Sequence, residues 1–285
     1  MIFVEMDHTL ITVGNSHKIM VTPNSPVSRN AQIRVQSSAL ADILSRVTLD
    51  KPSGAIRILF KKSGSVSIWT HDIAKTVQML VTDLEIPDIK VKEDCVLLIE
   101  PDSFANLLLS KYVDQNVQIT TSANNAIVIK DQQGSEVVFH PADESDCQIV
   151  PDRWIMPKDS DGWIQIPQKD NETCTSRITI SRNDLAKGVI DMKVANAPYV
   201  VFSFGSKKSS CRSGHWGVKS NQSQTQITAN VEGDDIDVVF TDNLSGILSK
   251  AIGDAFTIQK HSEVPFVIME CGAIRFVASE AQKEV

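Results

Sequence analysis

Much of what would mark this 285-residue chain as an enzyme, an exported protein or a membrane protein is missing from it. No apolar run approaches the length of a bilayer span. The opening MIFVEMDHTL places acids where a secretory leader needs a basic start and a long apolar stretch, so no export signal is expected. Cysteine is sparse and scattered: Cys95, Cys147, Cys174, Cys211 and Cys271 are odd in number and never form a C-x-x-C pair. That pattern excludes a disulfide frame and a zinc cluster and fits intracellular thiols. The six histidines fall in no H-E-x-x-H motif, and G-x-S-x-G, Walker and G-x-G-x-x-G patterns are absent. His71-Asp72 is the only His followed directly by a carboxylate. Neighbours in a strand point to opposite faces, so a surface or turn role is expected there. Catalysis, a bound metal and a cofactor are therefore not expected.

Excess positive charge is lacking too. With 28 Lys and Arg against 35 Asp and Glu the net charge is −7, which opposes general attraction to phosphates. One arrangement escapes that objection: basic residues gathered on an inner surface, with an acidic exterior that repels nucleic acid.

What is present is a plan used twice. Residues 1–30 hold two strand-like runs, 1–5 and 9–13, and then a stretch rich in Asn, Ser and Pro, read as an N-terminal extension. A strand at 32–36 leads to a helix capped by Ser37 or Ser38, with Leu40, Ile43, Leu44 and Val47 at i, i+3, i+4 and i+7. Strands follow at 56–60, 66–69 and 76–82, an irregular acidic link at 84–94 and a strand at 95–99. A second helix, capped by Asp102, carries Phe104, Leu107, Leu108 and Lys111, and strands at 117–121, 126–129 and 136–140 complete the first half.

Between 143 and 176 periodicity is lost and prolines and acids gather around Trp154 and Trp163, as in an interdomain linker. The plan then recurs: strand 177–180, a capping box at Ser181 and Asp184, and a helix with Leu185, Val189 and Met192 inward. Strands at 199–204, 210–218, 225–231 and 236–240 follow. A helix capped by Asp242 or Asn243 bears Leu244, Ile247, Leu248 and Ala251, and strands at 256–260, 266–270 and 274–278 close the chain. The expected fold is α+β: two similar domains, 31–142 and 177–279, each made of antiparallel sheets with two short helices on one face, and a tail at 280–285.

The order of elements, the Glu263-Val264-Pro265-Phe266 segment and the closing Phe276-Val277-Ala278-Ser279 resemble sliding DNA clamps of the proliferating cell nuclear antigen type. Ser279 stands where that family has proline. The resemblance implies a homotrimeric ring around duplex DNA that works as a non-catalytic processivity factor for a DNA polymerase. A clamp loader would place it on DNA, and it would act inside the cell at replicating DNA. DNA contact would fall to Arg46, Lys51, Lys111, Arg182, Lys187, Lys193 and Lys250 on the helices. A groove for partner peptides would use Trp154, Ile155, Trp163, Ile164, Ile166, Pro265, Phe276, Val277 and Ala278, with the turn at 61–63 beside it. Ring closure would pair edge strands, taken from 126–129 or 136–140 in the first domain and 210–214 in the second. Two rivals stand beside this reading: a checkpoint-type or viral processivity subunit acting as monomer or dimer, and a β-rich structural protein that binds no DNA.

Overall fold

The computed structural model describes residues 22–47, 49, 55–72, 74–122, 126–140, 149–214 and 221–280. The runs at 1–5 and 9–13, Lys51, Cys147, the first part of the linker and the tail beyond 280 lie outside these residues.

The first repeat runs β1 (Gln32–Gln36), α1 (Ser37–Val47), β2 (Ile56–Phe60), β3 (Ser65–His71), β4 (Val77–Glu85), β5 (Lys90–Val91), β6 (Cys95–Ile99), α2 (Pro101–Lys111), β7 (Asn116–Thr121), β8 (Ile127–Lys130) and β9 (Glu136–Phe139). A hairpin of β10 (Gln165–Ile166) and β11 (Glu172–Thr173) lies in the linker. The second repeat has the same order: β12 (Ser176–Ser181), α3 (Arg182–Ala195), β13 (Tyr199–Phe204), β14 (Ser209–Ser213), β15 (Ser223–Ile227), β16 (Ala229–Gly233), β17 (Ile236–Thr241), α4 (Asn243–Lys250), β18 (Ala255–Lys260), β19 (Phe266–Cys271) and β20 (Ile274–Ser279).

The sheets repeat as well. The order β5-β1-β7-β8-β9 in one half matches β16-β12-β18-β19-β20 in the other, and β4-β3-β2-β6 matches β15-β14-β13-β17. The last strand, β20, then pairs antiparallel with β4, Ile274 opposite Val81 and Ala278 opposite Val77. This seam fuses half of each repeat into one nine-stranded sheet.

Alternation along the strands decides the two faces of that sheet. Ile56, Ile58 and Phe60 of β2, with Phe276 and Ala278 of β20, join the buried stripes of the helices in one continuous core. The residues between them face the other way, where Leu80 and Val277 meet the linker. In α3, Gly188 lets the helix sit close on β13: a β-carbon there would lie 2.4 Å from Cζ of Phe202, whose ring stacks on Phe204 and meets Phe240 edge-on. Gly188→Ala is expected to lower stability by about 1–3 kcal/mol through overpacking, read as a lowered denaturation midpoint.

Several expectations change. Helix α2 begins at Pro101 with Glu100 as its cap residue, so Asp102 sits in the first turn, where it suits the helix dipole. Asp242 precedes α4 but makes no capping hydrogen bond. The acidic link at 84–94 contains β5 and the end of β4. The strand read at 225–231 is two strands broken at Thr228 that serve different sheets. The capping box holds: Ser181 Oγ accepts from the Asp184 N–H at 3.0 Å. Burial pushes the Asp184 carboxyl up, but hydrogen bonds from Lys187 and Ser181 outweigh it and hold the group below its ordinary range.

Candidate functional site

Two surfaces can be built from these elements. The first is the helix side. Helices α1 and α2 pack together, α3 and α4 pack together, and Lys250 Nζ of α4 donates to the Ser45 carbonyl of α1 at 3.0 Å. The four form a row in the order α2, α1, α4, α3. Within the helices six basic residues face four acids, and one acid, Asp191, is turned inward and 3% exposed.

The expected DNA contacts have local partners. Arg46 pairs with Asp42 at 3.0 Å, Lys187 with Asp184 at 2.6 Å, and Arg182 Nη2 donates to the Leu248 carbonyl at 2.6 Å. Lys111 Nζ reaches the Glu136 carbonyl of β9 at 3.3 Å, and Lys193 is exposed. The Arg46–Asp42 pair is exposed on both sides and worth little, which leaves Arg46 available to a stronger anion, whereas the Arg182 and Lys187 contacts are half-buried. His71 and Asp72 make a turn: Asp72 carboxylate oxygens accept from Thr76 Oγ1 and the Val77 N–H.

Sequence reasoning missed two features here. Nothing in the local sequence marks Asp191 as buried, yet it accepts from Ser223 Oγ at 2.6 Å, Thr225 Oγ1 at 3.0 Å and Cys211 Sγ at 3.2 Å, so it ties α3 to β14 and β15. Four apolar residues also stand outward on or just beyond the end helices: Leu109 on α2, Val113 in the turn after it, and Ile190 and Val194 on α3, each 49–60% exposed. Val138 of β9 is 48% exposed beside α2.

The edges follow from pairing. Among the described residues β9 and β15 each have one neighbour. The expected edge at 136–140 corresponds to β9. The one at 210–214 does not stand, because β14 lies between β13 and β15.

The second surface is the outward side of the seam, and the linker fills it. Met156, Ile164, Ile166 and Cys174 are buried in a cluster with Leu80, Val264, Phe266, Ile268 and Val277, and Trp69, Trp154 and Trp163 pack against it. Gln259, 1% exposed, accepts from the Ile164 N–H at 2.9 Å and donates to the Gly162 carbonyl at 3.0 Å. The Arg177 guanidinium lies 4.5 Å over the Trp163 ring. Of the expected groove residues, Phe276 and Ala278 point into the main core, Val277 faces the linker, and Ile155 and Pro265 are exposed.

Among the described residues no group of three or more His, Cys, Asp or Glu has the arrangement of a metal site, and no helix is long and apolar enough to cross a membrane. Cys95, Cys174, Cys211 and Cys271 are buried thiols. Burial pushes the first three up to about 12 and raises Cys271 in the same direction. Native protein at pH 8 is expected to leave all four unalkylated until it is unfolded, a result read by peptide mass mapping; fast labelling of any of them would contradict the packing.

No family model and no curated protein matches the sequence. Solved structures do match. The DNA polymerase III beta subunit of Thermotoga maritima superposes with a TM-score of 0.66 at 12% identity, over 90% of this chain and 67% of that one. The proliferating cellular nuclear antigen of Entamoeba histolytica gives 0.61 at 10% identity, over 90% of this chain and 100% of that one. The PCNA of A. fulgidus, solved with the C-terminal region of FEN-1 bound, gives 0.61 at 13% identity with the same coverage. The fold is that of the sliding clamps.

Proposed function

We propose that this chain is a sliding clamp: copies of it close into a ring around duplex DNA and tether a polymerase as a non-catalytic processivity factor. The observation that carries this reading is the seam between β20 and β4. It joins the last strand of the second repeat to the outer strand of the β4-β3-β2-β6 layer of the first, and the strands in the same places in the repeat plan, β9 and β15, are each left with one neighbour among the described residues. Repeating the seam between chains pairs β9 of one copy with β15 of the next, a heterologous contact that closes only as a ring.

The helix row supports the same joint. At the internal seam Lys250, the last residue of α4, reaches α1; Lys111 is the last residue of α2. Closure would set Leu109, Val113 and Val138 against Ile190 and Val194 of the next copy, covering apolar surface that a lone chain leaves in water. Two repeats per chain favour three copies. Four helices per chain would then face the DNA with a modest positive balance, enough for weak, sliding, sequence-independent phosphate contacts. Polymerase tethering and assistance from a clamp loader complete the reading.

Light scattering at micromolar concentration tests it, followed by retention on nicked circular against linear DNA. Three chains per particle, and loading that survives on circles but runs off linear ends, are the expected results. A single chain at every concentration would sink the self-closing ring and favour a monomeric processivity subunit.

A further inference from the structure

The outer face of the five-stranded sheet carries a row of charge. Ile33 and Val35 of β1 lie in the core with the helices, so by alternation Arg34 points the other way. Across the ladder Arg34 stands opposite Lys90 of β5 on one side and Gln118 of β7 on the other; Gln118 stands opposite Lys130 of β8, and Lys130 opposite Glu136 of β9. Lys92 continues the ladder on the side of Lys90, its N–H donating to the Gln32 carbonyl at 3.1 Å. All of these side chains are exposed. Lys130 pairs with Glu136 at 2.6 Å, whereas Arg34, Lys90 and Lys92 have no acid within ion-pair distance among the described residues. Like charges directly opposite each other, as Arg34 and Lys90 are, cost stability.

The fold does not require this row. Read through the same ladder, the five matching positions of the second repeat are Asn230, Thr179, Thr257, Glu270 and Arg275, with neutral Asn and Thr where the first repeat has Lys90 and Arg34. There the closing charges hold a passing stretch of chain. Lys158 of the linker pairs with Glu270 at 2.8 Å, and Arg275 Nη1 donates to the Met156 carbonyl at 2.6 Å, just after the 3-10 turn at Asp152–Trp154. One repeat uses this face to hold a segment by charge; in the other the same face is more strongly charged and open to solvent.

We propose that the outer face of β5, β1, β7 and β8 docks a short acidic segment of a partner protein. An extended segment shows every second side chain on one face, roughly 7 Å apart, and the cations of the row stand about 5 Å apart on neighbouring strands and about 10 Å apart two strands on. Carboxylates at alternate positions therefore reach Lys90, Arg34 and Lys130 in turn, Arg34 able to take one with both arms of its guanidinium and the Gln118 amide donating between them. Charge decides the occupant. The row is only about 15 Å wide on a chain of net charge −7, so a short acidic segment gains all of it, while a duplex running on across the exterior meets repulsion. Exposed pairs are individually weak, which makes this a fast, salt-sensitive contact that recruits and orients a partner. It lies across the core from the helix row and does not depend on ring closure.

The probe is a fluorescein-labelled octapeptide of alternating Glu and Ser, titrated into the full-length chain at low salt and read by anisotropy. Wild type is expected to bind it, less tightly as salt rises. Arg34→Glu/Lys90→Glu is expected to bind at least about tenfold more weakly, since two attractive contacts become repulsive. Lys207→Glu/Lys208→Glu makes the same change of net charge at two exposed lysines of the β13–β14 turn and is expected to bind as wild type does. Lys92→Glu/Lys130→Glu carries the test if the first double variant loses its melting transition. Equal binding by the row variant and the turn variant, or no binding by wild type at low salt, would overturn the proposal. So would an oligothymidylate of equal charge that displaces the probe more strongly than unlabelled peptide does, which would give the face to nucleic acid. The titration needs neither ring nor DNA, so its failure leaves ring closure standing, and a monomeric mass leaves the docking face standing.

Discussion

Glutamates at Val113 and Ile190 are expected to turn a multi-chain particle into single chains. Both side chains are more than half exposed in the lone protomer, 60% and 59%, so neither substitution touches its core. Across a joint that pairs β9 with β15 the two would meet as like charges in a desolvated contact, a cost of several kcal/mol per joint. At about 4 kcal/mol the dissociation constant of each joint rises roughly a thousandfold. The melting temperature of the dissociated chain is expected to stay close to that of wild-type protein diluted to the same state, and a control glutamate at exposed Thr179 of β12 should leave the mass unchanged. An unaltered mass for the double variant would mean that these helices do not form the joint.

Glu280→Ala is expected to be the most damaging surface-adjacent change to the protomer itself. Lys260 and Glu280 pair with side chains only 6% and 13% exposed, and the second Glu280 oxygen accepts from the Val239 N–H at 3.1 Å. Lys260 also donates to the Val264 carbonyl at 3.0 Å. Removing the acid leaves an ammonium buried with one neutral acceptor and an amide of β17 with none, a loss of about 3–5 kcal/mol. Denaturant unfolding reads it directly. Lys260→Met/Glu280→Leu should recover much of that loss, because apolar groups of similar size carry no desolvation penalty. A loss within about 0.5 kcal/mol for Glu280→Ala, the range of ordinary surface changes, would show that water reaches the pair.

Most of the repeat was legible because the helices and central strands announce themselves by period. Leu40, Ile43, Leu44 and Val47 are all buried in α1, and Leu244, Ile247 and Leu248 in α4, as their spacing requires. What was not legible depended on partners distant in sequence. Thr228 breaks one apparent strand into β15 and β16 because its halves are claimed by β14 and β12, a choice no local pattern encodes. Asp191 reads as a solvated acid until β14 and β15 bring Cys211, Ser223 and Thr225 to it. The prolines of the linker signalled loss of period, but the hairpin and the seated turn are fixed by Gln259, Arg275 and Arg177 from the second repeat. Surface lysines were found by type, and their present partners only by geometry.

The β20–β4 seam also governs how the chain can be made. β4 is synthesised early, yet the strand that covers its edge is the last one described, about two thirds of the sequence away. Until β20 leaves the ribosome, a nascent first repeat exposes an unpaired nine-residue edge bearing Val77, Met79 and Val81, a template for pairing with a neighbouring chain. Contacts so distant in sequence also form late and slowly. Truncation anywhere before Ile274 should therefore yield aggregates, and full-length chains should gain protease resistance only on completing the final strand.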